Sequence, residues 1–258
     1  GTQTPSATPV VVPLPGVVQA ISAGWYHSLA LLDCGAVLTW GFNTPDASGF
    51  RTQSAPTLVL LHSVSSISAG GVHSLALTKE GVLLAWGGNE KGQLGVGTTE
   101  MQVAPEPVAQ GITHASAGSY HSVAVDSDNR ALVWGFFAYA QPGEGGDATW
   151  RVEWRPQLVP VDPDLIPFYL VDAGGGHSMG VTYDGAIFAW GGNSSGQVGN
   201  RSKGTDLELP KMILGAGTVQ VKSNKEMVEA VFSTITAQEV DDEEEPSMAR
   251  RRRLQEAS

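Results

Sequence analysis

Three residue pairs, Ala-Gly, His-Ser and Trp-Gly, recur in the same order at four places along the chain. In every copy the His follows the Ala by four residues, and the Trp follows the His by thirteen. A fixed spacing of this kind is the signature of a repeat architecture and limits the folds open to the chain. The repeat positions are Gly24, His27 and Trp40; Gly70, His73 and Trp86; Gly118, His121 and Trp134; and Gly174, His177 and Trp190.

Each repeat carries the pattern of a β-hairpin. A short apolar segment follows the His, as in Leu75-Ala76-Leu77, and a turn such as Lys79-Glu80-Gly81 separates it from a second strand that ends in Trp-Gly. These runs have the length of strands rather than of helices. A Gly- and Asn-rich connection and further extended runs bring the count to roughly four strands in a unit of about 50 residues. One such unit cannot bury its faces alone, so stability must come from stacking on its neighbours.

Composition and charge fit a chain of short strands and narrow the possible partners. The 32 Gly, 15 Pro and 16% charged residues are typical of strands joined by tight turns. The net charge of -11 argues against direct nucleic-acid binding, which needs clustered Lys and Arg. No apolar run is long enough for a membrane span, and the single Cys34 excludes an intrachain disulfide. We expect an intracellular protein, cytoplasmic or nuclear.

The repeat resembles a known sequence family. The unit AGxxHSLAL...GxVxxWGxNxxGQLG, most complete at Ala69 to Gly95 and again at Ala173 to Gly199, is similar to the regulator of chromosome condensation (RCC1) repeat, and the resemblance covers about residues 1–214. It implies a β-propeller, seven-bladed in the founding members. Such propellers serve as guanine-nucleotide exchange factors for small GTPases, UV photoreceptors, bacterial inhibitors or protein-binding platforms, and family membership alone does not choose among these.

The chain departs from that family in its number of repeats. Four units are too few to close a seven-bladed ring, and the pattern stops after Leu214. The sequence therefore predicts an all-β, partial propeller over residues 1–214, which is either a shorter propeller or a segment of a larger chain or assembly. Residues 215–238 form a non-repeat extension, in which Ser223 to Thr236 reads either as a short amphipathic helix or as a degenerate strand pair. Residues 239–258 read as a disordered charged tail, whose Arg250 to Arg253 cluster is either solvated or a nuclear-import signal.

The third repeat contains an insertion. The His-to-His intervals are 46, 48 and 56 residues, and because the Ala-to-Trp spacing is constant, the additional residues lie after Trp134, within residues 136–158. The aromatic and arginine side chains there are typical of protein interfaces, but they could equally pack on the propeller as an oversized outer strand pair. The candidate partner-binding residues are Phe136, Phe137, Tyr139, Trp150, Arg151, Trp154 and Arg155.

The four histidines invite a catalytic or metal-binding interpretation, which their spacing does not support. Repeats around an axis place these residues one blade apart, and no unit supplies a second ligand at the short spacing of a metal site. Neighbouring His and Ser in a strand point to opposite faces, so they do not form a nucleophile and base. We predict structural histidines, with each His-Ser pair satisfying backbone groups near the inner strands, and no metal, cofactor or catalytic residue.

The resulting prediction is a non-enzymatic platform that binds a protein partner through its blade loops and the 136–158 insertion. The first alternative is nucleotide exchange on a small GTPase, for which the founding member of the family uses a protruding insertion; no residue of the present insertion can be matched to it. The second alternative is a structural subunit of a large assembly, whose neighbours would cover the open strand edges.

Overall fold

A computed structural model describes residues 7–46, 49–59, 63–139, 149–160, 166–201 and 207–214 of the chain. Within these ranges the chain forms sixteen β-strands, in four groups of four. Blade 1 contains β1 (Val18–Ala23), β2 (His27–Leu32), β3 (Val37–Asp46) and β4 (Gly49–Val59). Blade 2 contains β5 (Val64–Ala69), β6 (His73–Thr78), β7 (Leu83–Gly87) and β8 (Gln102–Ala109). Blade 3 contains β9 (Ile112–Ala117), β10 (His121–Asp126), β11 (Ala131–Tyr139) and β12 (Thr149–Leu158). Blade 4 contains β13 (Phe168–Ala173), β14 (His177–Thr182), β15 (Ile187–Gly191) and β16 (Leu207–Leu214).

Every blade is an antiparallel sheet whose strands lie in chain order. The predicted hairpin between the His and the Trp is confirmed in all four blades, in one register: the His pairs with the Gly after the Trp, as His27 does with Gly41. The turn of this hairpin ends on a left-handed residue, which is Gly in three blades and Asn129 (φ 62°) in blade 3. Asn is the non-glycine residue that tolerates this conformation most readily.

The glycine of the Trp-Gly pair is required by the path of the chain. Gly41 has φ 97°, and a Cβ there would lie 2.3 Å from the carbonyl oxygen of Tyr26. The corresponding glycines of the other blades also have positive φ. Only glycine adopts this conformation without strain, so the chain can turn toward the outer strand directly after the Trp.

The connection to the outer strand has two forms, which alternate along the chain. In blades 2 and 4 it is a loop containing Gly-Gln-Leu-Gly or Gly-Gln-Val-Gly, whose Leu94 and Val198 are fully buried. In blades 1 and 3 it is a long hairpin. The predicted insertion belongs to the hairpin of blade 3, where Phe136 pairs with Val152 and Tyr139 with Thr149.

Three apolar clusters hold the blades together, one between each pair of neighbours. Each cluster is built from the strand after the His of one blade and from the Ala and Trp positions of the next. Trp86, Trp134 and Trp190 are at most 3% exposed, so these indoles fill the space between blades. Replacing a buried Trp with Ala costs about 3–5 kcal/mol.

The predicted C-terminal helix at 223–236 and the charged tail at 239–258 lie outside the residues that the structure describes. Within the described ranges, no helix has the length and apolar character needed to cross a bilayer.

Candidate protein-binding face

The repeated histidines link each blade to the next. Their Nε2 atoms are hydrogen-bonded to the Ser of the following His-Ser pair: His27 to Ser74 Oγ at 3.0 Å, His73 to Ser122 Oγ at 2.8 Å and His121 to Ser178 Oγ at 3.0 Å. The sequence predicted that each His-Ser pair satisfies backbone groups. In the structure the imidazole bonds a side chain of the neighbouring blade, and the serine hydroxyl reaches a backbone group in the pair at Ser122, which donates to the carbonyl of Gln93.

The hydroxyl of Ser122 shows how the repeated side chains are linked. It donates to the carbonyl of Gln93 at 2.8 Å, so it accepts from His73 and requires the proton of that imidazole to be on Nε2. The indole Nε1 of Trp134 donates to the same carbonyl at 2.9 Å. The Gln93 carbonyl, in the Gly-Gln-Leu-Gly loop of blade 2, therefore accepts hydrogen bonds from two repeated side chains of blade 3, those of Ser122 and Trp134.

The glycine of the Ala-Gly pair makes room for this arrangement. A Cβ on Gly70 would lie 2.4 Å from Cε1 of His73 and 2.4 Å from the carbonyl oxygen of Gly118 in the next blade. That contact distance is too short for any real side chain, so the histidine ring and the neighbouring backbone both require glycine at this position. The spacing from Ala-Gly to His is a consequence of this packing.

Burial keeps the histidines neutral. It lowers the pKa of His27 and of His121 to about 4 and that of His73 to about 3, with repulsion from His121 and His27 adding to the effect at His73. A neutral, buried and hydrogen-bonded imidazole serves as a structural link between blades. No group of three potential metal ligands occurs in the part of the chain that the structure describes.

An aromatic cluster lies at the end of the blades where β1 turns into β2. We define the aromatic end face as Trp25, Tyr26, Phe42, Tyr120 and Phe136. The rings of Trp25 and Tyr26 are 6.4 Å apart, and those of Tyr26 and Phe42 are also 6.4 Å apart, both edge to face. Trp25, Tyr26 and Phe42 are 51%, 66% and 44% exposed, which leaves much of this apolar surface in water.

The cluster connects blades that are not neighbours. Trp25 of blade 1 meets Tyr120 of blade 3 at a centroid distance of 5.3 Å and an interplanar angle of 90°. Between them lies Gly71 of blade 2, where a Cβ would be 3.2 Å from the indole ring. The small residue of blade 2 therefore allows the rings of blades 1 and 3 to meet.

Phe136 joins this face from the start of the insertion. Its backbone N–H donates to the carbonyl of Tyr120 at 2.8 Å, as that of Phe42 does to Tyr26 at 2.7 Å. The side chain of Phe136 is partly exposed, and Lys91 Nζ lies 5.9 Å from its ring centroid, within range of a cation–π interaction.

The other candidate residues of the insertion have different environments. Phe137 is 4% exposed and belongs to the apolar cluster between blades 3 and 4. Trp154 is 50% exposed, its carbonyl accepts from the Gly97 N–H at 2.7 Å, and Arg155 is exposed beside the same loop of blade 2. The side chains of Tyr139, Trp150 and Arg151 lie outside the described residues.

A shallow depression of about 320 Å³ adjoins the aromatic end face. Its walls are the Ala-Gly pairs of the four inner strands, and Trp25 and Ser119 also line it. Apart from Trp25, the lining consists of small side chains and backbone groups.

Sequence reasoning missed Trp25, Tyr26, Phe42 and Tyr120 as surface candidates. The signal is present in the aligned repeats: the residue before the His and the residue two after the Trp are aromatic in blades 1 and 3. In blades 2 and 4 the same two positions hold Val72 or Gly176, and Gly88 or Gly192.

The four-stranded blades stack face to face, with their first strands innermost. The same side-chain hydrogen bond is repeated at each interface between blades. This arrangement defines a β-propeller repeat protein. Sequence comparison identifies the repeat. A profile described as the regulator of chromosome condensation (RCC1) repeat matches residues 80–125, and a second profile with that description matches 18–44, 64–93, 112–141 and 169–197. The chain belongs to the RCC1-repeat family, as its sequence motifs indicated.

Solved structures agree with this fold. Human WBSCR16 is 23% identical to this chain, with a TM-score of 0.67 over 80% of this chain and 55% of its own. Yeast RCC1 (Prp20) bound to Kap60 is 22% identical, with a TM-score of 0.67 over 86% and 58%. Prp20p from Saccharomyces cerevisiae is 23% identical, with a TM-score of 0.67 over 90% and 61%. The chain thus spans 55–61% of the length of these structures.

Proposed function

We propose that this chain is a non-enzymatic binding module whose protein partner docks on the aromatic end face and on the adjoining exposed part of the insertion, at Trp154 and Arg155. One observation carries the proposal: three large aromatic side chains, between 44% and 66% exposed, form a row at one end of the blades, in which the ring of Tyr26 contacts those of Trp25 and Phe42. Trp, Tyr and Arg dominate the binding energy of protein interfaces.

The geometry of the face suits a protein rather than a small substrate. Its rings are positioned by backbone hydrogen bonds between adjacent loops and by edge-to-face contacts, so little side-chain entropy is lost on binding. His27, His73 and His121 are neutral and occupied by hydrogen bonds between blades, which leaves them unsuited to acid–base chemistry. The net charge of -11 disfavours nucleic acid as the direct ligand.

The test compares matched aromatic substitutions in the full chain. Tyr26→Ala combined with Phe42→Ala removes two of the three most exposed rings of the face, whereas Tyr183→Ala removes a ring that is 68% exposed in the turn at the other end of blade 4. Affinity capture from a lysate identifies partners of the unmodified chain, and their dissociation constants for each variant are then measured. We expect the double variant to bind at least about tenfold more weakly and Tyr183→Ala to bind normally. Equal loss in both variants, or in neither, contradicts the proposed face.

Nucleotide exchange on a small GTPase is examined in the same experiment. Prp20p was solved in a study of its binding to Gsp1p and histones, which supports a GTPase as one kind of partner to test. The release of a fluorescent GDP analogue from any captured GTPase separates the alternatives. Accelerated release assigns exchange activity, and stable binding with unchanged release supports a platform.

A further inference from the structure

The aromatic end face contains a continuous row of four rings. Phe42 meets Tyr26, Tyr26 meets Trp25, and Trp25 meets Tyr120, at centroid distances of 6.4, 6.4 and 5.3 Å. The planes of neighbouring rings are 83°, 82° and 90° apart, so each ring stands nearly perpendicular to the next. We call these four residues the aromatic row. Its perpendicular rings form corners in which a small apolar ring of a ligand contacts two aromatic side chains at once.

Blade 2 places small residues beside the row. At the two positions where blades 1 and 3 have Tyr and Phe, blade 2 has Val72 and Gly88. Gly71 lies against the indole of Trp25, since a Cβ there would be 3.2 Å from two atoms of that ring. The side chains of blade 2 at these positions are thus smaller than the rings on either side, which leaves room for an extended chain along the row.

The polar atoms of the row are hydrogen-bond donors. The hydroxyls of Tyr26 and Tyr120 and the Nε1 atom of Trp25 make no hydrogen bond among the residues that the structure describes. An indole N–H only donates, and a phenol hydroxyl donates as well as it accepts. A ligand that matches the row therefore offers small apolar rings to its corners and carbonyl oxygens to its donors.

The row is uncharged, although the chain as a whole has a net charge of -11. Lys91 lies at the margin of the aromatic end face, with its Nζ 5.9 Å from the Phe136 ring centroid. The hairpin turns at the opposite end of the blades are acidic, with Lys79 and Arg130 outnumbered by Asp33, Glu80, Asp126, Asp128 and Asp184. Charge complementarity therefore directs a basic segment of a partner to the opposite end and matches the row to an uncharged segment.

We propose that the partner segment bound by the aromatic row is an uncharged, proline-rich stretch of chain in the polyproline II conformation, a ligand that rests on the protein-binding function proposed above. A polyproline II helix rises about 3.1 Å per residue, so two residues span about 6.2 Å. The rings of Trp25 and Tyr26, and those of Tyr26 and Phe42, are 6.4 Å apart. Prolines two positions apart in the ligand therefore reach successive corners of the row.

The backbone of such a segment also suits the donors of the row. A polyproline II helix has no internal hydrogen bonds, so its carbonyl oxygens accept from the side chains of Tyr26, Tyr120 and Trp25. Proline has no backbone N–H, and the ring faces of the row need not supply an acceptor for one. A helical ligand uses its carbonyls internally. The polyproline II conformation is also preformed, so little entropy is lost when it docks on aromatic side chains.

The test measures the binding of fluorescein-labelled peptides to the full chain by fluorescence anisotropy. A panel of short peptides, with Pro at paired or alternate positions and Leu or Ala between them, is compared with counterparts in which every Pro is Ala. We expect the best proline peptide to bind at least about tenfold more tightly than its counterpart.

Variants of the chain place that binding on the row. Tyr26→Phe removes one donor and keeps the ring, and we expect it to weaken the best peptide about fivefold. Tyr26→Ala removes the ring as well and should weaken binding further. Tyr183→Ala, at a ring that is 68% exposed at the opposite end, should bind the peptide like the unmodified chain. Circular dichroism confirms that each variant is folded.

The results distinguish the proline-rich ligand from the proposed function. The ligand is overturned if no proline peptide binds more tightly than its alanine counterpart, or if folded Tyr26→Ala binds the best peptide normally. Tighter binding of counterparts with Lys in place of Pro overturns it as well. If the captured partner is nevertheless lost from the double variant Tyr26→Ala with Phe42→Ala, the proposed function stands without this ligand. If that variant binds the captured partner normally, the aromatic end face is not the docking site and both proposals fail.

Discussion

At the scale of single residues, the Ala-Gly, His-Ser and Trp-Gly pairs of the repeat are explained by the packing of one blade on the next. The Ala-Gly pair leaves space for the histidine ring, the histidine reaches the serine of the next blade, and the Trp-Gly pair turns the chain behind the indole. Because these residues contact one another, we expect a substitution at one of them to disturb the residues that touch it in space rather than its neighbours in sequence.

Substituting Gly70 with Ala tests this directly. The new Cβ would lie 2.4 Å from both the His73 ring and the Gly118 carbonyl, so the inter-blade contact must open. We expect the free energy of unfolding to fall by about 1–3 kcal/mol, the usual cost of overpacking, as measured by urea denaturation. Gly175→Ala is the matched control, because its Cβ would meet only Ser119 Oγ at 3.7 Å; an equal loss in the control would refute the explanation.

The buried histidines make stability depend on pH. Their pKa values of about 3 to 4 in the folded chain lie below the unfolded value of 6.5, so the unfolded chain binds protons first as pH falls. The stabilisation is complete above about pH 6.5 and is lost toward pH 4, by about 1.4 kcal/mol per pH unit for each histidine. Urea denaturation between pH 7 and 5 should show this slope, and His73→Gln should reduce it. A stability that is constant over this range would contradict the neutral, buried state.

At the scale of elements, the alternation of loop and hairpin after the Trp-Gly pair sets the strength of each interface. The loop of blade 2 supplies an acceptor for Trp134, while Trp86 has none among the described residues. The apolar contribution of the two indoles is similar, since both are fully buried.

Replacing each Trp with Phe isolates that polar contribution. Trp134→Phe loses a hydrogen bond in addition to ring volume, whereas Trp86→Phe loses ring volume and removes an unsatisfied N–H. We therefore expect Trp134→Phe to reduce the free energy of unfolding by about 1 kcal/mol more than Trp86→Phe. Equal costs in chemical denaturation would show that the Gln93 carbonyl contributes nothing to the interface.

The sequence predicted the elements well and their mutual contacts less well. Hairpins, turns and the indoles between blades follow from local periodicity and from the fixed spacing of His27 and Trp40. The bond from His27 to Ser74 links residues 47 apart in sequence, and it depends on how far one blade is rotated from the next. The contact between Trp25 and Tyr120 also depends on a small residue, Gly71, in the intervening blade. Such contacts cannot be predicted from the sequence of one repeat, because they depend on how neighbouring blades are placed relative to one another.

At the scale of the whole molecule, the aromatic end face and the contacts that join the blades use different residues. The rings of Trp25 and Tyr120 meet over Gly71, whereas His27 and His73 bond the serine of the next blade. Partner binding and the stability of the blades can therefore be separated by substitution.

Hydrogen–deuterium exchange of the full chain, alone and with a captured partner, tests the proposed function most directly. The account predicts partner-dependent protection of the turns that carry Trp25, Tyr26 and Tyr120 and of the backbone from Phe42 and Phe136 outward. The hairpin turns at the opposite end, at Gly35, Gly81 and Gly185, should exchange at the same rate in both samples. Protection confined to those opposite turns, with none at the aromatic end face, would contradict it.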